Sequence, residues 1–317
     1  MSYRGALPQL DGQIFLCDGG TETTLVFHHG IDLPCFATFP LLETDEGREA
    51  MRQYFAPYFE TARAHGAGFV LEANTWRANP AWGAQLGYSL DDLAEANRRC
   101  VAYAEETRAR EEVPGCPIVI SAPFGPEGDA YDPADHLSAA EAQEFHSWQA
   151  GVVADTAADL ITGLTITYAE EAIGIVRAAT AVGMPVVISF TVETDGRLPS
   201  GQGLADAIEE VDRETDGAAA YFMINCAHPT HFLSVLDGAG PWHRIRGIRA
   251  NASTMSHAEL DNSEVLDDGD PVALARGYLE IGKRLPDLVV LGGCCGTDHR
   301  HVASIADAWF GEPPAAA

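Results

Sequence analysis

Eight short apolar runs, each closing on a polar or glycine-rich turn, limit what this chain can fold into. They cover residues 14–17, 69–71, 118–120, 160–166, 185–190, 218–225, 245–250 and 288–291. Runs of this length bounded by turn residues read as buried strands. Helical spacing recurs between them. Met51, Tyr54, Phe55, Tyr58 and Phe59 share one face of 46–65, and the stretches 170–182 and 271–285 repeat the pattern. Ser89-Leu90-Asp91-Asp92 and Ser138-Ala139-Ala140-Glu141 read as caps that open two more helices. Strand and helix alternating eight times predict an α/β fold, a (β/α)8 TIM barrel, whose active site lies at the C-terminal ends of the strands. The chain reads as one barrel domain over 1–317, with its core at about 10–308 and a loose Pro/Ala tail at 311–317.

Composition removes several function classes. With 47 acidic against 19 basic residues the formal charge is −28, and no basic stripe appears, which excludes nucleic acid and anionic membrane surfaces as partners. No apolar run approaches the roughly 20 residues that span a bilayer. Residues 1–11 lack the apolar segment of a signal peptide, so a cytoplasmic location is expected. Lys283 is the sole lysine and sits near a helix end, which leaves Schiff-base chemistry without a buried amine. No G-x-G-x-x-G follows a strand, so no dinucleotide site is expected. Seven cysteines, an odd number without secreted-domain spacing, suit a reducing compartment.

Two of those cysteines are adjacent, in Leu291-Gly292-Gly293-Cys294-Cys295-Gly296-Thr297. Neighbouring side chains in a strand point to opposite faces, so these thiols share one target only where the backbone turns, and the glycines permit the turn. A thiolate metal site is one reading; a pair of buried structural cysteines is the other. A third cysteine in a matching context favours the metal. Cys226 follows the run 220–225 at another strand end, ahead of Ala227-His228-Pro229. Three thiolates with an open fourth position describe a catalytic zinc site, the open position going to substrate. Cys17, Cys35, Cys100 and Cys116 have no such context and read as structural, and His228 and His231 read as decoration of the following helix. Asp18, in a Gly-Gly turn at a strand end, leans functional. Asn74, Ser189, Asn225 and Asn251 are strand-end polar groups divided between substrate contact and backbone satisfaction.

Asp18-Gly19-Gly20, Asn74-Thr75-Trp76, Gly125-Pro126, Ser189-Phe190-Thr191, Asn225-Cys226 and Gly292-Gly293-Cys294-Cys295-Gly296-Thr297 occur in this order over about 10–308. In these motifs the chain resembles the homocysteine S-methyltransferase family, which includes betaine–homocysteine methyltransferase and the homocysteine module of methionine synthase. The resemblance implies a zinc barrel that methylates the sulfur of homocysteine to give methionine, with Cys226, Cys294 and Cys295 as zinc ligands. From this chain's own strand-end residues, Asp18 is expected to join the cysteines in catalysis, and Asp18, Glu22, Glu72, Asn74, Ser189 and Asn225 are expected to bind substrate. Without room for cobalamin or folate domains, the expected donor is small and free-standing: S-methylmethionine, S-adenosylmethionine or a betaine-like compound. A methyl group taken from a separate corrinoid protein is the other route.

The chain departs from the family where the acceptor is read. Relatives end the fourth strand in Glu-Thr, the carboxylate helping to hold the amino acid; here Leu164 precedes Thr165. Glu22 and Glu72 stand where relatives carry uncharged residues. Either Glu22 or Glu72, with Asp18, replaces the lost carboxylate, or the acceptor is another thiol or a selenol without an ammonium group. A zinc- or redox-responsive binding protein without turnover is the reading from outside the enzymes.

Overall fold

The computed structural model describes residues 2–130, 136–263 and 265–311. Eight parallel strands form a closed barrel in sequence order: β1 Phe15–Leu16, β2 Gly68–Glu72, β3 Ile118–Phe124, β4 Leu160–Ile166, β5 Val186–Phe190, β6 Tyr221–Asn225, β7 Ile245–Ala250 and β8 Val290–Gly293. This is the (β/α)8 barrel expected from the alternation. β1 keeps only two residues because the chain turns at Asp18-Gly19-Gly20, whereas β3 runs past Ile120 to Phe124, pairing Ser121–Phe124 with Leu160–Gly163 of β4. From residue 312 onward the expected tail lies outside the described residues.

Helices Asp45–His65, Leu90–Glu111, Ala139–Ala154, Ala169–Ala181, Leu204–Glu214, Pro271–Gly282 and His299–Phe310 cover the barrel. After β6 the layer shrinks to one turn, Pro229–Phe232. The caps predicted at Ser89 and Ser138 form: each side chain accepts the amide three residues on, and Glu141 returns a bond to the Ser138 amide. No helix among the described residues is long and apolar enough to cross a membrane.

The two-residue period of the strands divides the core. Phe15, Val70, Val119, Val187, Tyr221, Met223 and Val290 fill the barrel, while Phe69, Leu71, Ile120, Ile188, Ile224 and Ile248 pack outward against the helices. Residues 2–11 close the N-terminal end of the barrel: Leu7 and Tyr3 join the interior cluster, and the Arg4 guanidinium donates to the carbonyls of Ala154, Thr156 and Ala158. Beneath them Arg108 donates to Asp159 at 2.6 Å, both buried, and Asp159 also accepts the amides of Tyr3 and Ile120.

Removing one partner of such a pair strands a buried charge, which costs about 3–5 kcal/mol. Arg108→Met is therefore expected to lower the stability of the fold by that amount in urea denaturation, with the thiol site left as it is. A loss within the roughly 0.5 kcal/mol of an ordinary surface change would show that Asp159 is not held charged by Arg108.

Candidate active site

All three predicted thiols meet at the C-terminal mouth of the barrel. Cys226, the first residue after β6, takes up a left-handed conformation with φ 52°. A non-glycine residue there costs about 1–3 kcal/mol, so its surroundings must hold it. Its carbonyl accepts from Asn251 Nδ2 at 3.0 Å and from His257 Nε2 at 2.6 Å, and Glu193 fixes the other ring nitrogen at 3.0 Å. The turn after β8 is held as firmly. The Cys294 amide donates to Ala250, the Thr297 amide and hydroxyl both donate to the Cys294 carbonyl, and Gly296 has φ 78°. A side chain at Gly20 would bring its Cβ within 2.6 Å of the Cys294 carbonyl oxygen, so the turn after β1 can lie against this one only as glycine.

The sulfurs of Cys226, Cys294 and Cys295 lie within 4.8 Å of one another. Cys226 and Cys294 are joined as a disulfide, with Cα atoms 5.3 Å apart, and Cys295 stands outside the bridge. Bridge and bound ion are alternative uses of the same sulfurs, because a ligating thiolate needs the lone pair and charge that oxidation removes. Once reduced, three soft donors from two strand ends, open on one side to a cavity, fit a zinc ion.

Beneath the thiols a buried amide ties three strands together. Asn225 Oδ1 accepts from Ser189 Oγ at 2.6 Å and from the Thr165 amide at 3.1 Å, while Nδ2 donates to Thr165 Oγ1 at 2.8 Å and faces Cys294 Sγ at 3.9 Å. Thr165 is itself left-handed, φ 65°, at an irregularity where β4 breaks register with β5. Ser189 and Asn225, expected to touch substrate, are thus fully buried and absent from the cavity wall; they shape β4 and the thiol turn from below.

The cavity above has a volume of about 450 Å³. Asp18, Glu22, Glu72 and Asn74 line it together with the three cysteines, so these sequence-predicted residues do converge. Arg249, a buried charge on β7 that sequence reasoning missed, also lines the cavity. It donates from Nη2 to Asp18 Oδ1 at 2.6 Å, from Nη1 to Glu72 Oε1 at 3.2 Å and from Nε to the Gly293 carbonyl at 3.1 Å. The other Asp18 oxygen accepts from Thr21 Oγ1 at 2.9 Å and Tyr54 Oη at 3.0 Å. Burial raises the Glu72 carboxyl above its ordinary value against the pull of Arg249. Half-buried Glu22 is pushed up to about 7, chiefly by burial, with the charge of Asp18 adding to the rise.

The homocysteine S-methyltransferase family model matches residues 15–309. The chain belongs to that family. Among solved structures it is similar to the homocysteine methyltransferase MmuM of Escherichia coli. The metallated form shares 19% identity at a TM-score of 0.72, over 95% of this chain and 98% of that one. The oxidized form shares 20% at 0.73, over 96% and 98%. No curated protein matches significantly in sequence.

In this methyltransferase other strand-end residues take supporting places. Trp76 lines the cavity, but its ring meets the Arg77 guanidinium at 4.1 Å and its Nε1 donates to the Leu164 carbonyl at 3.0 Å, so it packs and positions. Arg77, also unforeseen, lies between Trp76 and Trp82, 3.7 Å from the latter ring. His228 caps the turn Pro229–Phe232 and His231 bonds the Thr254 carbonyl, as the sequence suggested. Tyr168 accepts the Leu137 amide on its hydroxyl and stacks on the His136 ring.

The raised Glu22 carboxyl has a signed consequence for stability. Between its ordinary value of 4.5 and about 7 the folded protein holds a proton that the unfolded chain has released, so stability falls as pH rises through that window. Glu22→Gln removes the loss. In urea denaturation of reduced protein the variant should match the parent near about pH 4.5 and lead it increasingly up to about pH 7. A difference that does not change with pH would show that Glu22 does not carry the shift.

Proposed function

We propose that this protein moves a methyl group from a small onium donor to the sulfur of homocysteine, giving methionine, with a zinc ion held by Cys226, Cys294 and Cys295. The observation that carries this reading is the three sulfurs within 4.8 Å of one another, lining a cavity in a chain of this family. A free alkyl thiol has a pKa near about 8.5 and is mostly protonated at neutral pH. Zinc bound by three thiolates would hold the acceptor sulfur deprotonated without redox chemistry of its own. The acceptor's sulfur lone pair forms the new S–CH3 bond, and the bond between methyl and onium atom breaks. Its electron pair stays with the donor, which leaves neutral, and the thiol proton passes to solvent.

The chain's own residues supply position and charge for this displacement. Asp18 has both oxygens occupied and is read as a fixed part of the floor, not as a base. Phe27, Phe36 and Phe55 line the cavity with Asp129 and Asp267, and Phe27 and Phe36 keep 45% and 49% of their surface exposed at its edge. Aromatic faces beside carboxylates favour a cationic donor, and a protein of formal charge −28 attracts one from solution. These features support an onium donor such as S-methylmethionine, S-adenosylmethionine or a betaine. The apolar Leu164 in the wall favours a second reading, a thiol or selenol acceptor without an ammonium group.

The test uses freshly reduced protein: zinc content, zinc-edge X-ray absorption with and without homocysteine, and methionine formation from each of the three donors. About one zinc per chain is expected, with three sulfur neighbours that become four on adding homocysteine. Serine at any of the three cysteines should cost more than the roughly 10- to 100-fold in metal affinity that loss of an outer partner costs. Reduced protein that takes up no zinc, or that makes no methionine from any donor, would overturn the proposal.

A further inference from the structure

Building on the homocysteine reading above, we infer that Glu22 is the residue that recognises the ammonium group of the acceptor and so selects an α-amino thiol. Such a substrate brings an ammonium into a cavity with buried walls, where a carboxylate is the matching partner. Five carboxylates line this cavity. Asp18 is filled by Arg249, Thr21 and Tyr54, and Glu72 is tied to Arg249. Asp267 accepts from Ser253 Oγ at 2.6 Å and from the Gly269 amide at 3.1 Å, and Asp129 is engaged with a partner of its own. Half-buried Glu22 bonds only its own backbone amide, and among the described residues its carboxylate makes no hydrogen bond or ion pair with another side chain.

Its place in the chain aims it at the reacting end of the cavity. Thr23, the next residue, accepts the Gly296 amide on its hydroxyl at 3.1 Å, and the Gly20 amide donates to the Thr297 carbonyl at 2.9 Å. The turn that carries Glu22 is thereby fastened on both sides to the turn that carries Cys294 and Cys295. An acceptor with its sulfur at the thiolates has its amino end within reach of this turn. Leu164 offers that end nothing but apolar surface. The Arg249 pairings explain why the remaining carboxylates near the thiols do not substitute: releasing either one to bind substrate would leave the buried guanidinium short of a counter-charge.

The experiment compares two pairs of molecules that differ only by the amino group: L-methionine with 4-(methylthio)butanoate in calorimetric binding, and homocysteine with 4-mercaptobutanoate as acceptors. Reduced, zinc-loaded wild type and Glu22→Gln are measured, with circular dichroism confirming the fold. The wild type should prefer the amino compound in each pair by about 10- to 100-fold, the range of a charge-assisted hydrogen bond. Glu22→Gln should lose most of that preference while binding 4-(methylthio)butanoate within about twofold of wild type. A variant that keeps the preference, or one that weakens both compounds equally, overturns the assignment. If instead the wild type methylates no homocysteine from any onium donor, the acceptor reading itself has failed, a result visible before the variant is made.

Discussion

The closure of β8 onto β1 is the contact on which the rest of this site depends. Only two residue pairs join the strands, Phe15 with Val290 and Leu16 with Leu291. The seam then continues above them through backbone bonds, from the Gly293 amide to Asp18 and from the Gly20 amide to Thr297. Backbones can run this close only where side chains are missing. A Cβ at Gly292 would stand 2.1 Å from the Cys17 sulfur, and one at Gly293 would fall on the Thr297 hydroxyl. The glycines around the paired cysteines therefore serve the seam as much as the turn. Because the seam closes, the first turn of the chain, with Asp18 and Glu22, faces thiols contributed by its last strand.

Closure also concentrates negative charge, and Arg249 is the structure's answer. Asp18 and Glu72 arrive from β1 and β2, and burial of either without a cation would cost several kcal/mol. One guanidinium from β7, one strand beyond the seam, serves both, and its remaining bonds reach the Gly19 and Gly293 carbonyls on either side of the seam. Ion pairs of this kind add little net stability over an apolar packing of equal volume. Their effect here is on arrangement. Two of the carboxylates nearest the thiols are occupied, so the free chemistry of the cavity passes to groups left unpaired around its wall.

The thiols are arranged by neighbours that lie outside the cavity lining. Cys226 is turned toward β8 by a left-handed backbone that Asn251 and His257 hold through its carbonyl. Asn225, one residue earlier, holds the irregular end of β4 and lies under Cys294. The same amide thus governs the thiol turn and the strand end at Leu164, so these two parts of the cavity wall are built from one buried network.

How much of this was legible in the sequence depended on distance along the chain. Apolar runs ended by turn residues, helix caps at Ser89 and Ser138, and the glycine-flanked thiols are local patterns whose physics acts within a few residues, so strand order, barrel class and the cysteine trio could be read directly. Strand ends were less secure, since β3 is lengthened and β1 shortened by pairing with neighbours that the local pattern does not contain. Which side of the wall a strand-end residue occupies was not legible: Ser189 and Asn225 lie beneath the cavity, and Arg249 took a central place without any motif to announce it. Those outcomes required the closed barrel, because inward register and ion pairing are set by contacts between residues as far apart as Asp18 and Arg249. By itself the sequence determined the elements and the donor atoms; the tertiary structure decided which charges are spent on each other and which remain for a substrate, because only folding brings them within reach.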